Sequence, residues 1–356
     1  MILRCILVLS SKKRLEKVID LEEPDRVPAC YMYHGASSNT LRITGLTWKD
    51  IYFSENAAIK AIMAAHKLWG HDNACSIISP IYGLEDLGIR VNVPEYAEPF
   101  VDPKMQFLKE ETDVDRLIRN WQKKPFTSLK SIKTATMLKK EFGDAVPIVG
   151  GFGGISTWAF FLRRIDNFIK DFKKNRYFQE LYMRAITNIA IDYCVQQLKA
   201  GCDYIISGED AFATDLFSPE QAWVCNGIYA KELCNAIHQE GGYYILHCCG
   251  DAIRALNLMI ETGADIISLD RVNLRKAKKI LQNKAALMGN VKSSILLGKT
   301  PYYVEQDCIR AMNEGMERGG YVLSCGYIYP YATPSNNVSA LVNAAKTYGV
   351  YKTFMI

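Results

Sequence analysis

No stretch of this 356-residue sequence stays apolar long enough to cross a bilayer, which takes about 20 residues. Met1 to Leu9 is a short apolar run that carries an arginine, gives way to Ser10-Ser11-Lys12-Lys13-Arg14 and has no small-residue cleavage site. It reads as a terminal extension rather than a signal peptide or an anchor, so a soluble, cytoplasmic protein without a membrane partner is expected. A basic stripe interleaved with aromatics is also missing. The net charge of +5 is spread along the chain, and its densest cluster, Lys276 to Lys279, lies in a helical pattern as a solvated face. Nucleic acid is therefore not an expected partner. Eleven cysteines, an odd number, are scattered without a framework spacing. That is the usage of a reducing compartment, with thiols free or bound to metal. A phosphate loop is lacking as well. Pro147-Ile148-Val149-Gly150-Gly151-Phe152-Gly153-Gly154-Ile155-Ser156 is glycine-rich after a strand, but the G-x-G-x-x-G spacing is absent and no Lys-Ser or Lys-Thr follows. Its glycines, Gly153 and Gly154 among them, are better read as allowing the backbone to approach a bound ligand closely.

What is present is a chain with 49% hydrophobic residues, enough for a large core. One domain over residues 1–356, with 1–23 as a helical extension, suits an α/β barrel of this length. Lys12 to Leu21 has helical spacing and stops at Glu22-Glu23-Pro24-Asp25. Arg26 to Tyr33 reads as a first strand and His34 to Asn39 as the loop after it. Ser54 is placed to cap a helix reaching Trp69, Asn73 to Ser79 reads as a strand, and Leu87 to Pro103 as a proline-rich, β-coloured insertion. Helical spacing covers Glu111 to Gln122 and Lys130 to Phe142. From Pro147 onward strands and helices alternate with no hairpin signal. Strands are expected at Asp203–Ser207, Tyr243–Leu246, Asp265–Leu269, Ala285–Gly289 and Tyr321–Ser324. Helices are expected at Thr157–Lys170, Phe178–Ala200, Ser218–Gln239, Ala252–Glu261, Asn273–Asn283, Tyr302–Arg318 and Ser335–Tyr348. Counted from Cys30 there are about eight strands, and the fold expected is a closed (β/α)8 TIM barrel, with a doubly wound open sheet as the competing architecture.

Chemistry in such a barrel sits at the C-terminal strand ends. Here those ends carry His34, the Gly150 loop, Glu209, Asp210, His247, Cys249, Asp270, Asn290 and Cys325. Tyr243-Tyr244-Ile245-Leu246-His247-Cys248-Cys249-Gly250-Asp251 stands out. Alternate side chains of a strand share a face, so His247 and Cys249 point together while Cys248 points away. A single buried cysteine is ordinarily just a small hydrophobe, but an imidazole beside a thiolate makes two ligands of a borderline-soft metal, zinc first. On spacing alone Cys325, which ends another apolar run before a glycine, is the best candidate for a third. Glu209, Asp210 and Asp270 are candidate catalytic carboxylates, able to fill a fourth metal position or to orient His247. Each also reads as a helix cap or an ion-pair partner. Tyr327, Tyr329 and Tyr331 read either as an aromatic pocket or as core.

Leu246-His247-Cys248-Cys249-Gly250-Asp251, Ser268-Leu269-Asp270, Leu287-Met288-Gly289-Asn290-Val291 and Cys325-Gly326 leading to Thr333-Pro334-Ser335-Asn336-Asn337-Val338 together resemble the uroporphyrinogen decarboxylase superfamily. Pro24-Asp25-Arg26-Val27-Pro28 is similar to that family's entry into its first strand. Decarboxylases of the family carry an arginine-rich loop there, whereas Tyr33-His34-Gly35-Ala36-Ser37-Ser38 has no arginine. The resemblance is instead to the cobalamin-dependent methyltransferase branch, EC 2.1.1 type. It implies that His247, Cys249 and Cys325 bind Zn2+. Gly153, Gly154 and Asn290 are candidate cofactor-binding positions and His34, Tyr327 and Tyr329 candidate substrate positions, although the Gly153-Gly154-Ile155-Ser156 loop and the loop after Cys325 depart from the family pattern. The resemblance further implies a corrinoid protein as partner, carrying methylcobalamin. The small substrate is a thiol acceptor or, as in the O-demethylase members that the longer loop after Cys325 resembles, a methoxylated aromatic donor. The pattern leaves room for a homo-oligomer. A metal-free lyase of the decarboxylase type and a non-catalytic binding protein are the alternatives, and zinc content separates both from the methyltransferase.

Overall fold

A computed structural model describes residues 8–102, 104–123 and 127–352. Most of the Met1–Leu9 run lies outside the described residues. Seven parallel strands run round a curled sheet in chain order: Ala74–Cys75, Ile148–Phe152, Tyr204–Gly208, Tyr243–Cys248, Ile266–Leu269, Ala286–Met288 and Tyr321–Val322. All but Tyr243 at the start of the fourth strand are buried, which is why these segments read as continuous apolar runs rather than as alternation. Helices between the strands cover the outside, as parallel crossovers require.

The eighth position of the ring is held by the stretch that reads as a first strand. Cys30 N donates to Leu323 O and Leu323 N to Pro28 O, so on one side it pairs through its main chain. On the other side Asp72 N donates to Ala29 O at 2.8 Å, while two side chains supply the remaining bonds. Asp72 Oδ2 accepts from Ala29 N at 2.8 Å, and Asn73 exchanges hydrogen bonds with Tyr31 N and O at 3.0 and 2.9 Å. Carboxylate and carboxamide thus take the place of a backbone ladder, and the barrel closes without a regular strand at 26–33. Its axis is filled. Tyr31, Met32, Ile206, Ile245, Met288 and Val322 surround a void of only about 10 Å³, the close packing of an ordinary core.

The insertion at 87–103 forms an antiparallel pair, Val91–Asn92 against Phe100–Val101. Ser54 does cap the Glu55–Trp69 helix, accepting from Ala57 N. Two local expectations change. The helix expected at 157–170 is two helices, Ile155–Arg163 and Ile165–Lys174, broken where Arg164 turns left-handed at φ 68°. Arg163 is pinned there, bidentate to Asp171 at 2.6 and 2.9 Å and bonded to Leu108 O. A short helix at Ser293–Gly298 and a helical turn at Gly35–Ser38 were not foreseen, because neither is long enough to show a period. No helix among the described residues is long and apolar enough to cross a membrane.

Candidate active site

The Tyr243–Cys248 strand lies between Tyr204–Gly208 and Ile266–Leu269, and its register sets His247 opposite both Gly208 and Ser268. The imidazole is buried. Its Nδ1 lies 3.0 Å from Ser268 Oγ and its Nε2 lies 3.3 Å from Cys249 Sγ. Ser268 Oγ donates its proton onward to Met32 Sδ at 3.5 Å. Nδ1 therefore faces the serine hydroxyl and Nε2 faces the thiol. Burial holds the imidazole below its ordinary pKa, opposed by the charges of Asp210 and Asp270. The same neutral form suits metal ligation. Burial also pushes the Cys249 thiol well up, and the Asp210 carboxylate adds to the rise. Cys249 N donates to Asp210 Oδ1 at 3.0 Å, and Gly250 N to Asp270 Oδ2 at 3.3 Å. Ser268 therefore fixes the ring that presents Nε2. We expect Ser268→Ala to leave the fold intact and to weaken metal binding by about 10- to 100-fold, the range for removing a group that orients a ligand. Competition with a chromophoric chelator measures it.

Cys325 reaches the same end of the barrel through its bridge to Val291. Its thiol is buried and pushed up to about 11 by that burial, and Sγ lies 3.2 Å from Ser293 Oγ. The Asp270 charge raises both Cys249 and Cys325, so the carboxylate lies near both thiols. Gly326 is what admits it, since a Cβ there would lie 2.6 Å from Asp270 Oδ1. Among the described residues no group of three or more His, Cys, Asp and Glu side chains is close enough to hold a metal. The donors divide into a contacting pair, His247 and Cys249, and Cys325 bonded to Ser293. One imidazole and two thiols have the right chemistry for zinc; two of the three are already in contact.

A cavity of about 830 Å³ opens beside Cys249 and Asp270, lined also by Asn290, Ser293 and Tyr327 and by the cationic Arg271 and Lys292. That is a size suited to a small-molecule site. The Tyr327 ring lies 6.1 Å from the His247 ring. Asn290 works as a tie: its amide donates to Asp270 O and Val272 O at 2.7 Å each, and its oxygens accept from Arg310. Ser268, Ser293 and Lys292 escaped the sequence reading. Ser268 could have been found only from the strand register that sets it beside His247, and Ser293 only from the unforeseen helix that starts with it.

Five expected site residues lie elsewhere. Glu209 is fully buried and its carboxylate is taken up by Ile155 N, Ser156 N, Ser156 Oγ and Ser207 Oγ at 2.8–3.1 Å. It caps the Ile155–Arg163 helix and has no lone pair free for proton transfer. Gly153 and Gly154 make a close approach, but to protein. A Cβ on Gly153 would lie 2.5 Å from Pro80 O, and one on Gly154, at φ +111°, only 1.9 Å from Gly208 O. Gly154→Ala is thus expected to lower stability by at least about 2 kcal/mol, read from the urea midpoint, because backbone has no room to yield. Tyr329 is core, its hydroxyl 3.1 Å from His71 Nε2. His34 lies apart from His247, beneath Trp48, in a second, smaller cavity that Tyr327 also lines. The ten cysteines among the described residues are all free.

Comparison with known proteins bears on the family and the fold. A family model described as uroporphyrinogen decarboxylase (URO-D) matches residues 10–348. The methylcobamide:CoM methyltransferase MtaA of Methanosarcina barkeri is 26% identical over 348 residues, covering 95% of this chain and 98% of the relative. The uroporphyrinogen decarboxylase of Syntrophotalea carbinolica is 27% identical over 231 residues, covering 62% and 64%. A solved methyltransferase from Methanosarcina mazei superposes with a TM-score of 0.81 at 23% identity, covering 96% of this chain and 99% of that one.

Proposed function

The chain belongs to the uroporphyrinogen decarboxylase family, and from that premise we propose that it moves a methyl group between a corrinoid carried by a separate protein and a small substrate held at a zinc ion. His247, Cys249 and Cys325 would hold the metal. The observation that carries the reading is the His247–Cys249 contact, with Nε2 3.3 Å from the thiol sulfur. The relatives matched over nearly their whole length are named as corrinoid methyltransferases, which supports a thiol acceptor first. Lysis of a porphyrin polycarboxylate is poorly supported, because the loop after the first barrel segment offers buried, neutral His34 where carboxylates would need cations. Burial lowers His34 to about 3.

Zinc in this position would stabilise an incoming thiol as its thiolate, leaving one coordination place for it. The chain's own groups do the rest. Ser268 holds the His247 ring, and Asp210 holds the Cys249 main chain. Asp270 lines the cavity, and burial raises its carboxyl above the usual range, so it is suited to take the proton that the thiol sheds. In the opposite direction the same groups would serve a methoxylated aromatic donor, with Asp270 returning the proton. The corrinoid is too large to be buried by this chain, so its carrier would dock over the mouth of the 830 Å³ cavity. Incubation with methylcobalamin and a panel of thiols including CoM, and with cob(I)alamin and methoxylated aromatics, tests the reading. Loss of the methyl–cobalt absorbance with one thiol, and zinc near one per chain, is expected. No transfer in either direction, or a metal-free chain that still turns over, would overturn it.

A further inference from the structure

Tyr327 is a wall between two cavities. One is the 830 Å³ cavity over Cys249 and Asp270; the other, of about 200 Å³, lies behind it under the 91–101 hairpin. The second cavity has apolar side chains on its walls, among them Pro80, Ile81, Val101 and Phe161, and polar ones, His34, Glu98 and Ser79 beside Tyr327. His34 is 2% exposed, and among the described residues nothing hydrogen-bonds its Nδ1. Its Nε2 stands 4.0 Å from Glu98 Oε2, beyond a hydrogen bond. A buried imidazole nitrogen without a partner costs free energy, so its persistence beside this cavity needs a reason. The roof is preformed rather than loose. Glu98 Oε1 accepts from Tyr331 N at 3.3 Å, and the hairpin turn accepts from Trp48 N through Glu95 O. In volume the cavity exceeds the about 150 Å³ of an engineered apolar cavity that admits benzene.

We infer that this second cavity is the specificity pocket of the site, taking a ring-sized apolar group attached to the substrate's reacting heteroatom and holding one hydroxyl of that group against His34 and Glu98. The inference rests on the proposed function, since the shared Tyr327 wall is what would turn the heteroatom toward His247. A short aliphatic thiol would leave the pocket unfilled. With its pKa depressed to about 3, His34 is neutral and can accept from a hydroxyl while Glu98 or a ring substituent accepts from it. His34, Glu98 and Val101 are then specificity-determining residues rather than catalytic ones.

Calorimetric titration of the full chain with phenol and with toluene tests this. One saturable phenol site is expected, about tenfold tighter than toluene, as a single buried hydrogen bond allows. His34→Phe should keep toluene binding and erase the preference for phenol. Val101→Trp should fill the cavity and abolish binding of both, and Glu98→Gln, at a half-exposed position that folding tolerates, should weaken phenol alone. No saturable phenol binding, binding unchanged in Val101→Trp, or a phenol preference that survives His34→Phe would overturn the assignment. Cys249→Ala separates the two readings, because phenol should still bind there. Methyl transfer without phenol binding removes the pocket assignment alone, and phenol binding without methyl transfer removes the functional reading alone.

Discussion

Replacing Cys249 with alanine is expected to take zinc from about one per chain to almost none and to lower methyl transfer by at least about 10³-fold, with little change in fold stability. The asymmetry follows from where the side chain sits. Cys249 lies just past the end of its strand, and its main-chain amide is held by Asp210 whatever the side chain. His247 keeps its bond to Ser268. What is lost is one of three donors, and a site left with one imidazole and one thiol at separate strand tips has too few ligands to retain a cation against water. Cys248 is the control. It points to the other face, buried, with Sγ donating to Cys249 O at 3.4 Å, so Cys248→Ala should lose some packing and keep its zinc. Cys325→Ser should behave like Cys249→Ala. Metal analysis by mass spectrometry with single-turnover transfer reads all three, and full zinc retention in both Cys249→Ala and Cys325→Ser would sink the ligand set.

The barrel was legible because its parallel strands are buried on both faces and announce themselves as short apolar runs broken by glycine or a polar residue, as at Tyr204–Gly208 and Tyr243–Cys248. The pairing of His247 with Cys249 was legible for the same reason, since strand alternation needs no tertiary information. Cys325 was a matter of spacing, and the described geometry keeps it with Ser293. What could not be read was which face of each strand end meets the cavity. Glu209 and Asp210 are neighbours in sequence, yet one caps a helix from inside and the other supports Cys249. Tyr327 and Tyr329 share a loop, yet one walls two cavities and the other is core. Nor does glycine spacing tell whether backbone comes close to a ligand or to another strand. At Gly154 it is the strand ending in Gly208.

Arg14→Ala is expected to destabilise the chain by about 3–5 kcal/mol, the cost of breaking a buried ion pair by removing one partner. That is a large share of the roughly 5–15 kcal/mol that holds a typical domain together. Arg14 is 3% exposed and serves two carboxylates at once. Its Nε and Nη2 bind Asp25 at 2.7 Å each, and its Nη1 binds Asp72 at 2.6 Å. Asp72 is also bound by Arg26 at 2.7 Å, by Ser11 Oγ at 2.9 Å and by Ala29 N at 2.8 Å. This network joins the Ser11–Ile19 helix to the 25–30 segment and to the start of the Ala74–Cys75 strand, where side chains replace the ladder that would close the barrel. Burial opposes ionisation of Asp72, but the two guanidinium groups and the Ala29 amide outweigh it and hold its carboxyl below 3.8. A carboxyl depressed in the folded state contributes stability that is complete above its unfolded pKa and is lost as pH falls through the folded value. In the wild type that loss should therefore begin near pH 4 and deepen below it. In Arg14→Ala, Asp72 keeps one guanidinium of two, its depression shrinks, and the slope of stability against pH below 4 should flatten. Urea midpoints at pH 7 and between pH 5 and 3 measure both effects. A variant within about 1 kcal/mol of wild type at pH 7 would mean that the seam is held by the main-chain bonds at Ala29 and Leu323 rather than by its charges.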